Sequence, residues 1–502
     1  MPRNGYTGLA DQQAASRPGM GKSEANKMGL FGAIGYLTCT IIGSGIFVSP
    51  KGILENAGSV GLSLAAWVLC AGIALVIAMA YIELATSIPE CGSDFSYINY
   101  VGWTPLAFAF LWLANIIEGS CSCAIMFMTF GQYIGEALRP LNDEMSDEMR
   151  FRLQQLLGVA ICLVMAWVNL FSLKKWAAKI QIVMMGMKLL ALSIIIVTGF
   201  YFLIAKGRTE NFINGALFNG SAWSAGNISL ALYSGAWAYS GYDALNYGTE
   251  EIELQNFSWI LPRAVFGGLL LATVIYFLAN VAYFTILNPA QLLASEAVAT
   301  TFSEETLGGF KYAMPAIVGL LMIGSLNSDI FQWSRMTMAG ARKSLMPTAL
   351  ALSNPETDAP RVSVMFHVAL SIAFSFVKDI DSLLDYVNVA GMARVACSMG
   401  ALVYIKYRKV PVSSRAIKYP IFLPILAFLI AITLIVVPFV QKLAISGASC
   451  GLLLTCFCLY FVLIYPNYRL PILQWLDEKS TIICQHVFQC VVEEDVDILK
   501  EE

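Results

Sequence analysis

Thr40-Ile41-Ile42-Gly43-Ser44-Gly45-Ile46-Phe47-Val48-Ser49-Pro50 interrupts an apolar run that begins near Met28 and extends to residue 57. Two glycines flanking a serine weaken a helix by about 1 kcal/mol each relative to alanine. A run this long can cross a bilayer, and broken backbone at membrane depth is tolerated only where it lines a cavity or is buried in protein. Amides freed at such a break, with the positive end of the half-helix that follows, suit a carboxylate. Ile42, Gly43, Ser44, Gly45, Ile46 and Phe47 are therefore candidate ligand-binding residues. Close helix packing also recruits glycine, so this motif alone leaves that reading open.

A second interruption changes the balance. Trp237-Ala238-Tyr239-Ser240-Gly241-Tyr242-Asp243 sets glycine, small polar residues and an acid in the middle of another apolar segment, with Glu250-Glu251 at its inner end. These are the first and sixth apolar segments, which correspond across two five-helix halves. Interruptions at corresponding positions point to a midplane substrate site in inverted-repeat carriers. Unwound carbonyls near Ser240 and Asp243 suit an ammonium, which adds Tyr239, Ser240, Gly241, Tyr242 and Asp243 to the candidate residues. Together the two breaks describe a pocket for a zwitterion.

The rest of the chain agrees with a membrane setting. Of 502 residues, 58% are hydrophobic and only 13% charged, against about 25% charged in a soluble protein. Mean hydropathy is +0.67. Apolar spans are expected near 28–57, 61–88, 104–136, 153–173, 177–205, 227–254, 262–287, 311–341, 362–377, 382–405, 420–441 and 446–465. The fold class is thus an all-α membrane protein with twelve transmembrane helices. Residues 1–27 read as a disordered N-terminus without a cleavable signal, 28–465 as one transmembrane domain, and 466–502 as a tail. In the tail, Ile472, Leu473, Leu476, Ile483, Val487 and Cys490 recur at approximately helical spacing, which suits an interfacial helix or one packed under the bundle.

With an even number of spans both termini share a side. Nineteen Lys and Arg fall on that side and nine opposite, so both termini are expected in the cytoplasm. A net charge of -3 with no basic stripe gives no reason to expect nucleic acid. Most of the twelve cysteines lie in apolar segments, no CxxC pair occurs, and there are only two histidines, so neither a metal nor another cofactor is expected. Gly447-Ala448-Ser449-Cys450-Gly451 matches a hydrolase nucleophile pattern but opens the last apolar span, without the strand–turn–helix setting that pattern needs, so an enzyme is not expected.

The first interruption, with Lys51-Gly52, Gly58-Ser59-Val60-Gly61, Glu83-Leu84, Lys179-Ile180-Gln181-Ile182, Asn280-Val281-Ala282-Tyr283-Phe284-Thr285 and Ala297-Val298-Ala299, resembles the light-chain subunits of the heteromeric amino acid transporters. These form the L-type branch of the amino acid–polyamine–organocation superfamily. The resemblance implies a LeuT-like 5+5 inverted repeat with helices 1 and 6 broken, a plasma-membrane location and sodium-independent amino acid exchange. It also implies that the backbone of 43–47 holds the substrate carboxylate and that of 239–242 the amine.

Lys188, deep in the fifth span, matches the lysine that similar transporters place where sodium-coupled relatives bind a cation. An ammonium there would bridge spans 1, 5 and 8; a structural or snorkelling lysine is the alternative. Asp243 departs from the family pattern, and the acidic position of cationic-substrate members aligns with the neutral Ser240. Asp243 would form a second amine site, pair with Arg394, or stay protonated, and Glu118 would join such a network. Neutral amino acids, with large or aromatic ones favoured, are the expected substrates. A cationic or mixed exchanger using Asp243, and a non-transporting sensor on the same fold, remain alternatives. The outer loop over 137–152 lacks the family's heavy-chain-linking cysteine. No disulfide-linked partner is expected through it, which leaves non-covalent association with a heavy-chain glycoprotein or independence.

Overall fold

The computed structural model describes residues 29–491 apart from 139–144, 172–177, 214, 248–255, 296–297, 307, 309–312, 356, 358, 377–379, 442 and 466–470. The expectations for residues 1–27, for Glu250 and Glu251, for 139–144 of the 137–152 loop and for 466–470 and 492–502 of the tail lie outside the described residues.

The helices in chain order are α1 (Leu30–Ile41), α2 (Gly45–Ala57), α3 (Val60–Ser87), α4 (Asp94–Tyr100) and α5 (Thr104–Leu113). A π-helical turn over Ala114–Gly119 joins α5 to α6 (Ser120–Ala137), followed by α7 (Asp147–Phe171), α8 (Ala178–Ala205), α9 (Ala225–Ala236) and the single turn α10 (Ala244–Tyr247). Then come α11 (Phe257–Ile286), α12 (Pro289–Ala294), α13 (Val298–Thr306), α14 (Ala313–Arg342), α15 (Arg361–Phe374), α16 (Ile380–Arg408), α17 (Phe422–Gln441), α18 (Leu443–Leu463) and α19 (Pro471–Phe488). Each of the twelve apolar stretches carries helix. Among the described residues seven helices are long and apolar enough to cross a membrane, and the bent pair α1–α2 makes an eighth.

Local chemistry explains the joints. Gly58 ends α2 at φ +72°, where a Cβ would collide with the Gly220 carbonyl. Ser59 then caps α3, its hydroxyl accepting from the Leu62 amide at 3.3 Å. Ser224 caps α9 in the same way through the Asn227 amide. The Gly447–Gly451 stretch lies inside α18 rather than at a strand-to-helix elbow, so the geometry that would expose a nucleophile is missing.

Helix α2 packs along α9, and α1 packs on α8 and α11, so the two interrupted segments sit side by side. Helices α6, α7, α14 and α15 pack on one another as a second group. Glu83 of α3 receives Lys406 of α16 at 2.5 Å and the Tyr419 amide at 3.1 Å, which ties the bundle at one end. Helix α19 buries no residue, and Ile472, Trp475, Ile483 and Val487 are exposed along it. Asp477 holds this helix to the Thr348 amide and hydroxyl at 2.8 and 2.7 Å.

Candidate functional site

The first interruption bends the chain by 46° between Leu30–Ile41 and Gly45–Ala57. Ile42, Gly43, Ser44, Gly45, Ile46 and Phe47 are all buried. The Gly43 amide turns back to the Ile41 carbonyl at 2.8 Å, which breaks the helical ladder. Gly45 and Ile46 begin α2, where a helix supplies no acceptor for its own amides, and the Ser44 side chain does not cap them.

Opposite lies the second interruption. Tyr239, Tyr242 and Asp243 are buried, Gly241 is half-buried and Ser240 is exposed. Gly241 adopts φ +95°, which favours glycine, and a Cβ there would lie 2.9 Å from the Thr40 methyl. A Cβ on Gly45 would collide with the Ala238 backbone and reach its Cβ at 2.8 Å. Glycine at 45 and 241 is therefore what lets the two breaks touch.

Two side chains hold them together, and a third anchors the first break to its neighbours. The Tyr276 hydroxyl of α11 lies 2.7 Å from the Ile41 carbonyl and 3.0 Å from that of Ala238, so it serves both breaks at once. The Trp237 indole N–H donates to Ser44 Oγ at 3.4 Å. Lys188, fully buried on α8, donates from Nζ to the carbonyls of Cys39 at 2.7 Å and Ile42 at 2.6 Å and to Ser325 Oγ at 2.7 Å. All three ammonium protons thus have acceptors, and α8 is joined to the first break and to α14. Sequence reasoning found Lys188 but missed Tyr276, because a tyrosine in an apolar helix reads as core.

Beyond the second break lies a buried charge cluster around Arg394 of α16. Its guanidinium grips Glu118 with Nη2–Oε1 at 2.9 Å and Nε–Oε2 at 3.1 Å. It also pairs with Asp94, approaches Asp243 at 3.8 Å and donates to the Tyr247 hydroxyl at 3.0 Å. Ser398 donates to Asp94 at 2.5 Å, and Tyr81 donates to the same oxygen. Of the alternatives for Asp243, pairing with Arg394 is the one the geometry contains, and Glu118 belongs to the same network. Asp94 was not legible, since α4 lies between two spans.

Glu118 reaches Arg394 from the π-helical turn. Gly119 explains why that turn fits: a Cβ there would run into the Trp333 ring, which stands 5.9 Å from the Arg394 guanidinium. Next to Tyr239 and Tyr242 a cavity is lined by Cys70, Ala74, Leu232 and Met392. Its walls are mostly apolar.

The amino acid permease family matches the chain over residues 28–464. Amino acid transporter protein 6 of Caenorhabditis elegans is 37% identical over 94% of this chain and 90% of its own length. The human cystine/glutamate transporter is 35% identical over 95% and 93%. The human large neutral amino acids transporter small subunit 2 is 33% identical over 95% and 87%. The chain therefore belongs to the amino acid permease family as a multi-pass membrane amino acid transporter of the L-type, light-chain kind.

Proposed function

We propose that this protein exchanges neutral amino acids, large or aromatic ones preferred, across the plasma membrane without sodium. The fold read here is a LeuT-like 5+5 inverted repeat of twelve spans, 28–465, with both termini cytoplasmic and residues 466–502 as a tail. In that reading α9 and α10 are the halves of the sixth span, and the short α15, α17 and α18 complete the crossings. The observation that carries the function is Lys188: its ammonium is bonded to Cys39, Ile42 and Ser325, joining the first break to α8 and α14. A fixed cation there does what a coupling ion would do for the half-helices.

The substrate carboxylate binds the backbone of 43–47 at the amides of Gly45 and Ile46, where the positive end of α2 favours an anion; those of Gly43 and Phe47 are already bonded to the Ile41 and Ser44 carbonyls. The ammonium binds the carbonyls of 239–242, and the side chain lies toward Tyr239 and Tyr242, where the small apolar cavity widens to take it. Ile42 and Asp243 complete the site from either side. A radiolabelled flux assay in vesicles reconstituted with the purified chain tests this. Uptake stimulated by unlabelled leucine inside supports exchange, whereas binding without flux supports a sensor.

A second reading, cationic or mixed-substrate exchange, is favoured by one observation: three carboxylates, Asp94, Glu118 and Asp243, face the single Arg394. A cationic substrate group would balance that excess. The relative named cystine/glutamate transporter adds acidic substrates to the comparison. A panel of leucine, phenylalanine, lysine, cystine and glutamate separates the three classes.

The small-subunit name of one relative brings a heavy-chain partner into consideration. No cysteine occurs between residues 137 and 152, so any such association is non-covalent through that loop. Independence is the reading preferred here.

A further inference from the structure

Away from the substrate breaks, the helix group α6, α7, α14 and α15 encloses a polar cluster that neither Lys188 nor Arg394 serves. Cys123 Sγ, an Asp329 carboxylate oxygen and a His367 ring nitrogen all lie within 4.8 Å of one another, each residue buried. His367 is 1% exposed, and neither of its ring nitrogens has a hydrogen-bond partner among the described residues. The same holds for Asp329 Oδ2, which stands 3.9 Å from His367 Nε2. Asp329 Oδ1 is held by Ser122 Oγ at 2.8 Å and by the Trp333 indole N–H at 3.2 Å, so the other oxygen is fixed toward the histidine. Cys162 of α7 is fully buried and lies against Cys123.

Buried polar atoms without partners are rare and call for an explanation. A thiol, an imidazole and a carboxylate meeting in one place is a donor set for a borderline metal rather than for calcium or magnesium. Sequence spacing gave no hint of it, because the donors lie about 40 to 240 positions apart. With ligand bonds of about 2.0–2.3 Å, tetrahedral ligand atoms lie roughly 3.6 Å apart.

We propose that Cys123, Asp329 and His367 bind a zinc ion. Cys123 gives up its thiol proton and binds as thiolate, while His367 binds as neutral imidazole. Thiolate, carboxylate and a divalent ion then sum to zero charge, which suits an apolar surrounding. The Ser122 and Trp333 contacts to Asp329 are the outer shell that aims the carboxylate. The ion fastens α6, α14 and α15 at one point. Trp333 continues from there to the ring face beside Arg394.

The test is elemental analysis of the intact chain, purified in detergent without a polyhistidine tag. One zinc per chain is expected in the wild type and a small fraction of that in His367→Gln and Cys123→Ser. Cobalt added to chelator-treated wild type should give a thiolate-to-metal charge-transfer band, which needs no variant to fold. The chelator should lower the melting temperature of the wild type and leave His367→Gln unmoved. Wild type that holds no zinc, takes up none when zinc is added and shows no cobalt band overturns the proposal.

Discussion

Arg394 and Glu118 form a two-pronged buried pair, Nη2–Oε1 at 2.9 Å and Nε–Oε2 at 3.1 Å, across 276 positions of sequence. Glu118 can face Arg394 because its turn is π-helical, and Asp94 and Asp243 approach the same guanidinium. Removing one partner from such a pair costs about 3–5 kcal/mol, because the charges left behind stay buried. Arg394→Gln is expected to unfold at a clearly lower temperature than the wild type in detergent. Glu118→Gln, which keeps a hydrogen-bond acceptor and relieves the excess of acid, should lose less. Equal losses would show that Asp94 and Asp243 do not compensate Arg394 for the missing Glu118 charge.

Gly45 and Gly43 should differ in tolerance. A Cβ at Gly45 meets the Ala238 backbone, whereas one at Gly43 finds its nearest neighbour, Ser325 Oγ, at 3.4 Å. Gly45→Ala and Gly45→Val are expected to abolish uptake while surface biotinylation still finds the protein. Gly43→Ala should retain a measurable fraction. Normal transport by a surface-delivered Gly45→Val would remove the first break from the substrate site.

Tyr276→Phe deletes the hydroxyl that lies between the Ile41 and Ala238 carbonyls and leaves the ring contacts with Trp67 and Tyr239 in place. One neutral hydrogen bond contributes about 0.5–1.5 kcal/mol, so substrate affinity should fall roughly 2- to 10-fold. Competition binding in membranes measures it, and an unchanged affinity would mean that the bridge does not shape the pocket.

Expression of the chain alone in cells lacking heavy-chain glycoproteins tests independence. Surface delivery and uptake are expected. Retention inside the cell, reversed by co-expressing a heavy chain, would contradict it.

The breaks were legible because glycine and serine inside apolar runs are conspicuous against the helix they interrupt. Lys188 was legible for a related reason: an ammonium deep in a span needs acceptors, and the buried carbonyls of a broken helix provide them. Asp94 and Tyr276 were not, since one sits in a short helix between spans and the other looks like ordinary core. The Cys123–Asp329–His367 cluster was invisible because its members have no sequence spacing in common; only the packing of α6, α14 and α15 brings them together. The segment expected as 227–254 divides after Ala236 and resumes at Ala244, a division that Gly241 at φ +95° marks in the structure and Ser240-Gly241 marks in the sequence.

The most direct measurement is initial uptake of radiolabelled leucine into proteoliposomes in sodium and in choline, for the wild type and for Lys188→Met. Wild-type uptake should be nearly equal in the two media if, as proposed, the Lys188 ammonium does the work of a coupling cation. Lys188→Met leaves Cys39 O, Ile42 O and Ser325 Oγ without their common donor. It should fall at least ten-fold, since hydrogen bonds to a charged group contribute about 1.5–3 kcal/mol each. A large loss of wild-type uptake in choline, or undiminished transport by Lys188→Met, would contradict the fixed-cation role.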